Sequence, residues 1–209
     1  MEGEWSGLGL RALSKILHIG VTTSARHLVG LAHGKLEARA AVLETLRTGA
    51  MPRENDLNVL DASPVRACPS VVLAQAHRAV SRQLTDLAGA GRALALFGGA
   101  RPGLRDTPRW RAWLEHHGRA VQRARILLVG LRIAMGHVLA STAAFRVART
   151  STFPHLSAEW EAWMAEAEGL TSVAYADAEV ALEMVAEMSQ AAREAADDAF
   201  HLVLRNGQG

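Results

Sequence analysis

Apolar residues recur at alternating steps of four and three along residues 70–97. This spacing keeps one side of a helix apolar over its whole length and is typical of the a/d seam of a coiled coil. The pattern therefore predicts a helix that buries this side against a neighbouring helix. The members of the seam are Leu73, His77, Val80, Leu84, Leu87, Gly91 and Leu94.

The remainder of the chain also favours helix, because residues that prefer strands are scarce. Tyr occurs once in 209 residues, while 49% of the chain is apolar and Ala and Leu are abundant. Prolines and turn-forming residues divide the chain, most densely in residues 49–69. The predicted helices cover residues 6–48, 70–97, 108–150 and 158–204, and residues 49–69 form the predicted linker.

Four such helices predict an all-α fold, an elongated up-down four-helix bundle with long helices rich in Ala and Leu. Because the composition does not shift along the chain, we expect a single domain over residues 1–209. The apolar seam additionally predicts coiled-coil packing within this bundle.

Charge is strongly segregated although the net charge is only +2. Residues 101–150 contain ten Arg against Asp106 and Glu115, a balance of +8. Residues 159–200 contain eleven acids against Arg193, a balance of −10. The segregation indicates either pairing of the third and fourth helices or partners of opposite charge.

Two Trp pairs stand near the starts of the third and fourth predicted helices, with their members three residues apart on one helix face. Arginines flank the first Trp of one pair, whereas glutamates flank the first Trp of the other. Because Trp and Arg are frequent anchors of interfaces, we expect these helix starts to be complementary contact sites for self-assembly. The residues concerned are Trp110, Trp113, Arg109 and Arg111, and Trp160, Trp163, Glu159 and Glu161.

The alternative interpretation is that both Trp pairs fill the ends of the bundle core and that the charges around them are solvated. A second alternative concerns nucleic acid, because arginine is suited to phosphate contacts. Arg109, Arg119 and Arg123 share one side of the Arg-rich helix 108–132 and are the candidate contacts. The same arginines can instead pair with the acidic fourth helix.

Residues 126–145 are apolar on nearly every face and are long enough to span a bilayer. Arg132 stands near their centre and basic residues flank both ends, which argues against insertion. We expect a protein that is not transmembrane, with this helix central in the bundle or buried between copies in an oligomer. The first segment carries a polar stripe of Arg11, Lys15 and His18, which suits a peripheral lipid or granule surface or packing on the bundle.

The sequence carries no catalytic, cofactor-binding or metal-binding signature. The nine histidines form no Glu-x-x-His pair, and no phosphate-binding loop or nucleophile motif is present. We therefore expect a protein that is not an enzyme and that uses no cofactor or metal. The lone Cys68 and the absence of a secretory signal favour the cytoplasm.

Residues 159–188, EWEAWMAEAEGLTSVAYADAEVALEMVAEM, resemble the phasins, helical proteins that coat polyhydroxyalkanoate storage granules. The resemblance implies granule coating without catalysis. Together with the helical patterns, it predicts a non-enzymatic assembly, scaffold or coat protein that acts as a homo-oligomer or as a subunit of a larger assembly. The alternative is a nucleic-acid-binding helical subunit of a larger complex.

Overall fold

A computed structural model describes residues 23–50, 59–60, 68–101, 103–150 and 158–207. Every regular element in these residues is helical, which confirms the predicted all-α fold class. We label the four α-helices α1 (Thr23–Arg47), α2 (Pro69–Gly99), α3 (Pro108–Thr150) and α4 (Ala158–Gly207). A short 3-10 helix, Leu104–Asp106, precedes α3.

The observed helices lie close to the predicted ranges. Helices α2, α3 and α4 begin and end within three residues of the ranges 70–97, 108–150 and 158–204. Helix α1 ends one residue before the predicted end at residue 48. Residues 6–22, including the stripe of Arg11, Lys15 and His18, and most of the linker 49–69 lie outside the described residues.

Local chemistry explains where α3 begins. Gly103 adopts the left-handed region at φ 88°, which glycine tolerates without a steric penalty, and it turns the chain into the 3-10 helix. The side-chain oxygen of Thr107 then accepts a hydrogen bond from the backbone N–H of Trp110 at 3.2 Å. This is an N-cap, and Pro108 at the first helical position needs no partner for a backbone N–H.

The described residues form two compact units, and parts of α2, α3 and α4 belong to each of them. The prediction of a single domain over residues 1–209 stays a prediction. The first unit contains residues 23–24, 79–101, 103–127 and 183–207, and the second contains residues 25–50, 59–60, 68–78, 128–150 and 158–182.

In the first unit, segments of α2, α3 and α4 enclose one buried cluster. Trp110 and Trp113 are its largest side chains, and α4 contributes mainly alanines, whose small side chains leave room for the indole rings. His117 of α3 bonds to the carbonyl oxygen of Leu87, while Trp110 lies beside Gly98, so α2 and α3 run antiparallel. The cluster also includes Leu87, Ala90, Leu94, Phe97, Leu104, Ala120, Ala191, Ala192, Ala195, Ala199, Leu202 and Val203.

In the second unit, a buried arginine joins four segments of chain. Arg39 of α1 is 0% exposed and donates to the hydroxyl oxygens of Ser141 (3.0 Å) and Thr171 (3.3 Å). It also donates to the backbone carbonyl oxygens of Val59 (3.1 Å) and Leu60 (3.2 Å). One guanidinium therefore ties α1 to α3, to α4 and to the turn at residues 59–60.

The charge of Arg39 is held by uncharged groups. Burial lowers the pKa of Arg39 to about 10, and Cys68 opposes this shift. The side chain therefore remains a cation at neutral pH. Because the four acceptors described for it are hydroxyl and carbonyl oxygens, their dipoles must offset the loss of hydration.

The apolar seam of α2 differs in part from its predicted form. Leu73, Val80, Leu87 and Leu94 are buried as predicted, whereas the intervening residues His77, Leu84 and Gly91 are only half-buried. The positions buried in their place are one residue earlier along the chain: Ala76, Gln83 and Ala90. The small side chains of Ala76 and Ala90 permit close packing. The buried residues of α2 therefore recur at steps of three and then four, and not of four and then three.

The expectation that residues 126–145 are central in the bundle does not hold for the described part of the chain. Along α3 every third or fourth side chain is buried, among them Leu127, Leu131, Ala134 and Val138. Between them stand exposed apolar residues, and only 33% of the most apolar stretch of α3 is buried. Helix α3 therefore has a core side and an exposed apolar side.

Candidate interaction surfaces

Trp110 and Trp113 lie inside the first unit. They are 5% and 4% exposed, and their ring centroids are 5.0 Å apart at an angle of 52°. Trp113 also packs against the imidazole of His117, with the centroids 5.2 Å apart. This placement matches the alternative interpretation, in which the pair fills the core. Contact of these two residues with another copy stays a prediction, and it requires the rings to leave their present packing.

Two glycines of α2 allow α3 to approach closely at this point. A Cβ built at Gly98 would overlap the six-membered ring of Trp110, and its distance to Cζ3 would be 2.6 Å. A Cβ at Gly91 would lie 2.8 Å from Cε1 and Nε2 of His117. Real Cβ atoms essentially never come so close to other heavy atoms, so both rings occupy space that only glycine leaves open.

Trp160 and Trp163 belong to the second unit and are only half-buried. They pack against the edge of a cluster that includes Leu43, Phe145 and Met164. The neighbouring Glu159 and Glu161 are exposed in the first turn of α4, where the helix dipole favours negative charge. The structure thus places the two Trp pairs in different units and against different clusters.

The arginines beside Trp110 have partners within the chain. The guanidinium of Arg109 lies 3.7 Å from a carboxylate oxygen of Asp198 on α4. Arg111 donates to the backbone carbonyl oxygen of Asp106 at 3.2 Å. These contacts offset the unfavourable position of positive charges near a helix N-terminus.

The three candidate nucleic-acid contacts are all engaged in ion pairs. Arg109 pairs with Asp198, Arg119 pairs with Glu115 one turn away, and Arg123 lies 2.8 Å from Glu187 of α4. Two of the three pairs therefore join the basic α3 to the acidic α4, which is one of the two alternatives that the charge segregation left open. The guanidinium groups are about 40–50% exposed, so each pair is weak enough for a phosphate to compete with it.

Histidines of α3 continue this pairing. Nδ1 of His116 lies 3.0 Å from Asp198 in the first unit, and Nδ1 of His137 lies 2.8 Å from Asp177 in the second unit. In the first unit Arg109 pairs with Asp198 and Arg123 with Glu187, and in the second unit Ser141 bonds to Thr171 four residues after His137, so α3 and α4 run antiparallel within each unit. Among the residues that the structure describes, no group of three His, Cys, Asp or Glu is arranged to hold a metal ion.

The structure reveals an exposed surface that the sequence patterns did not single out. On α3 of the second unit, Val129, Ile133 and Val147 are 60%, 48% and 41% exposed. On α4 of the same unit, Val173 and Val180 are 46% and 49% exposed. We call these five residues the outer face. The only signal of it in the sequence is that residues 126–145 are apolar on nearly every side.

Comparison of the chain with protein-family models, with curated proteins and with solved structures finds no match. By length and composition alone, α3 is the one described helix that is apolar enough to cross a membrane. Core helices of soluble proteins pass the same criterion, which makes this weak evidence for a membrane span.

Proposed function

We propose that this chain is a non-enzymatic helical assembly, scaffold or coat protein that acts through protein–protein contacts of its helix surfaces. The observation that supports the proposal is the outer face. Exposed single apolar residues are ordinary, but branched apolar side chains that recur along two adjacent helices form a surface that usually meets a partner. The proposal includes an elongated up-down four-helix bundle, residence in the cytoplasm and no membrane-spanning segment.

A coat role is the version of this proposal that the phasin resemblance favours. In that version the apolar surface meets a lipid or granule surface, and the exposed arginines of α3 add attraction to anionic groups. Binding to hydrophobic granules or vesicles that is lost on replacement of outer-face residues supports the coat version.

The nucleic-acid alternative has less support, because its three candidate arginines already face carboxylates. It predicts binding to generic DNA or RNA that weakens steeply with salt. Replacement of Arg109, Arg119 and Arg123 by Gln should abolish such binding. Failure to bind at low salt would remove this alternative.

The proposal is tested by native mass determination of the full chain, purified and in lysate. An assembly protein gives a mass above the 22.4 kDa of one chain in at least one of the two samples. A mass of one chain in both samples, with no binding to granules, contradicts the proposal.

A further inference from the structure

We infer that the outer face binds the outer face of a second copy of this chain, in a symmetric pair in which α3 of each copy lies antiparallel to α4 of the other. The inference rests on the proposed assembly function and names its partner. It is carried by the placement of the exposed apolar residues and by the charges at the edges of the face.

The exposed rows of α3 and α4 lie on the same side of the second unit. His137 and Asp177 are half-buried and in contact, so they mark the boundary between core and surface where the two helices meet. One turn before His137 on α3, Ile133 is exposed and Ala134 is buried. One turn after it, Ala140 is exposed and Ser141 is buried.

Helix α4 divides in the same way about Asp177. Val173 and Val180 are exposed, whereas Ala174 and Ala181 are buried. In both helices the residues four before and three after the contact are exposed, and those three before and four after it are buried. Because the helices are antiparallel, this shared pattern places the exposed residues of both helices on the same side of the His137–Asp177 contact. The outer face is therefore a continuous two-helix surface, which is the shape that pairs with another helical hairpin in a four-helix arrangement.

Two glycines in this surface have no packing role within the described residues. Gly136 and Gly169 are exposed within helices, and a Cβ at either one would meet nothing within 4 Å. Glycine within a helix is unfavourable relative to alanine. Gly34 and Gly118, outside the outer face, are open in the same way, so the glycines do not by themselves indicate a partner. Gly136 and Gly169 leave room for another helix to approach the outer face closely.

The two edges of the outer face carry opposite charges. Arg132 and Arg146 are exposed on the side of α3 that faces away from α4. Glu161 and Glu179 are exposed on the side of α4 that faces away from α3, and they are five helical turns apart at 3.6 residues per turn. Within the described part of the chain, neither Arg132 nor Glu179 takes part in an ion pair. Each edge therefore presents charges for which a second copy offers the complement.

The edges also select one symmetry. A two-fold axis parallel to the helices places the basic edge of one copy over the acidic edge of the other, whereas a perpendicular axis in the plane of the face places like charges together. His137 and Asp177 lie at the same height along the helix axis. Arg132 is five residues before His137 on α3, and Glu179 is two residues after Asp177 on α4. Because the two helices are antiparallel, Arg132 and Glu179 are displaced from this height in the same direction. When the two-fold axis is parallel to the helices, Arg132 of one copy and Glu179 of the other are offset by about 4.5 Å along that axis. An arginine side chain can reach over this distance.

Sedimentation velocity of the full chain over a range of concentrations tests this pairing. The wild type should reach twice the 22.4 kDa of one chain. Arg132→Glu and Glu179→Arg should each weaken the pair by about tenfold or more, because each reversal replaces attraction by repulsion at two symmetric places. An equimolar mixture of the two variants should regain the wild-type affinity, since every edge contact between the different chains is then attractive.

Matched controls are Arg92→Glu on α2 and Glu37→Arg on α1, which reverse exposed charges on helices that contribute no residue to the outer face and should leave the affinity unchanged. Circular dichroism of each variant establishes that it is folded.

Three results would overturn the inference. A wild type that remains a single chain at high concentration excludes the pair. A dimer that is insensitive to both reversals excludes this face but leaves the proposed assembly function standing. A chain that is monomeric in solution, and binds anionic phospholipid vesicles in a manner lost in Ile133→Glu, assigns the face to lipid instead.

Discussion

Replacement of Gly98 by alanine tests whether Trp110 is held in the core of the first unit. The added Cβ would overlap the six-membered ring of Trp110, and the ring is only 5% exposed, so it has little room to move. Overpacking of this kind costs about 1–3 kcal/mol. Alanine regains at most about 0.5–1 kcal/mol of helix propensity. From the middle of each range, we therefore expect Gly98→Ala to lower the free energy of unfolding by about 1 kcal/mol.

Gly118→Ala is the matched control. Gly118 is exposed on α3 of the same unit, and a Cβ there would meet nothing within 4 Å. This variant should gain about 0.5–1 kcal/mol, because only the propensity difference operates. Urea unfolding followed by far-ultraviolet circular dichroism measures both changes.

A double-mutant cycle isolates the contact between Gly98 and Trp110. Trp110→Leu removes the six-membered ring, so in that background Gly98→Ala should be neutral or slightly stabilising. The coupling energy should be about 1–3 kcal/mol. The reasoning is refuted if Gly98→Ala is as stable as the wild type, or if it costs the same with Leu at position 110.

Three further predictions concern stability and can be measured by the same unfolding assay. Trp110→Ala should cost about 3–5 kcal/mol, and Trp160→Ala should cost less because Trp160 is only half-buried; equal losses would contradict the assigned burial. Arg39→Lys should cost about 2–4 kcal/mol, because one ammonium keeps the buried charge but cannot reach all four acceptors of the guanidinium; an unchanged midpoint would show that the network contributes little. Arg123→Ala should cost less than about 1 kcal/mol, with the loss shrinking at high salt, since the pair with Glu187 is exposed; a loss that does not depend on salt would show that packing is responsible.

The helices could be predicted from the sequence because their signals are local. Thr107 and Pro108 mark the start of α3 within two residues, and both are where the structure begins that helix. The charge segregation predicted pairing of α3 with α4 as one of two alternatives, the other being partners of opposite charge, and Arg123 with Glu187 is an instance of that pairing.

Features that depend on distant partners could not be predicted. Which residues of α2 are buried depends on the helices that pack against it. At Gly91, for example, the ring of His117 on α3 occupies the space beside the glycine. The network of Arg39 joins residues 20 to 132 positions away, for which no local pattern exists.

The outer face could not be predicted either, because this part of the sequence has too many apolar residues to show which of them are exposed. Residues 126–145 are apolar all round, so periodicity does not say which side packs inside. Burial in the folded chain separates Leu131 and Val138 from Val129 and Ile133. The Trp pairs were predicted to be contact sites because of their size and the charged residues beside them. In the structure, Trp110 and Trp113 lie in the buried cluster of the first unit.

The most direct test of the assembly account compares the mass of two variants by sedimentation. Ile133→Glu places a charge within the outer face, and Leu96→Glu places the same charge at a 66% exposed leucine on α2 of the first unit. The account predicts that Ile133→Glu falls to the 22.4 kDa of one chain at concentrations where wild type and Leu96→Glu remain associated. Equal masses for the two variants, whether associated or single, would contradict it.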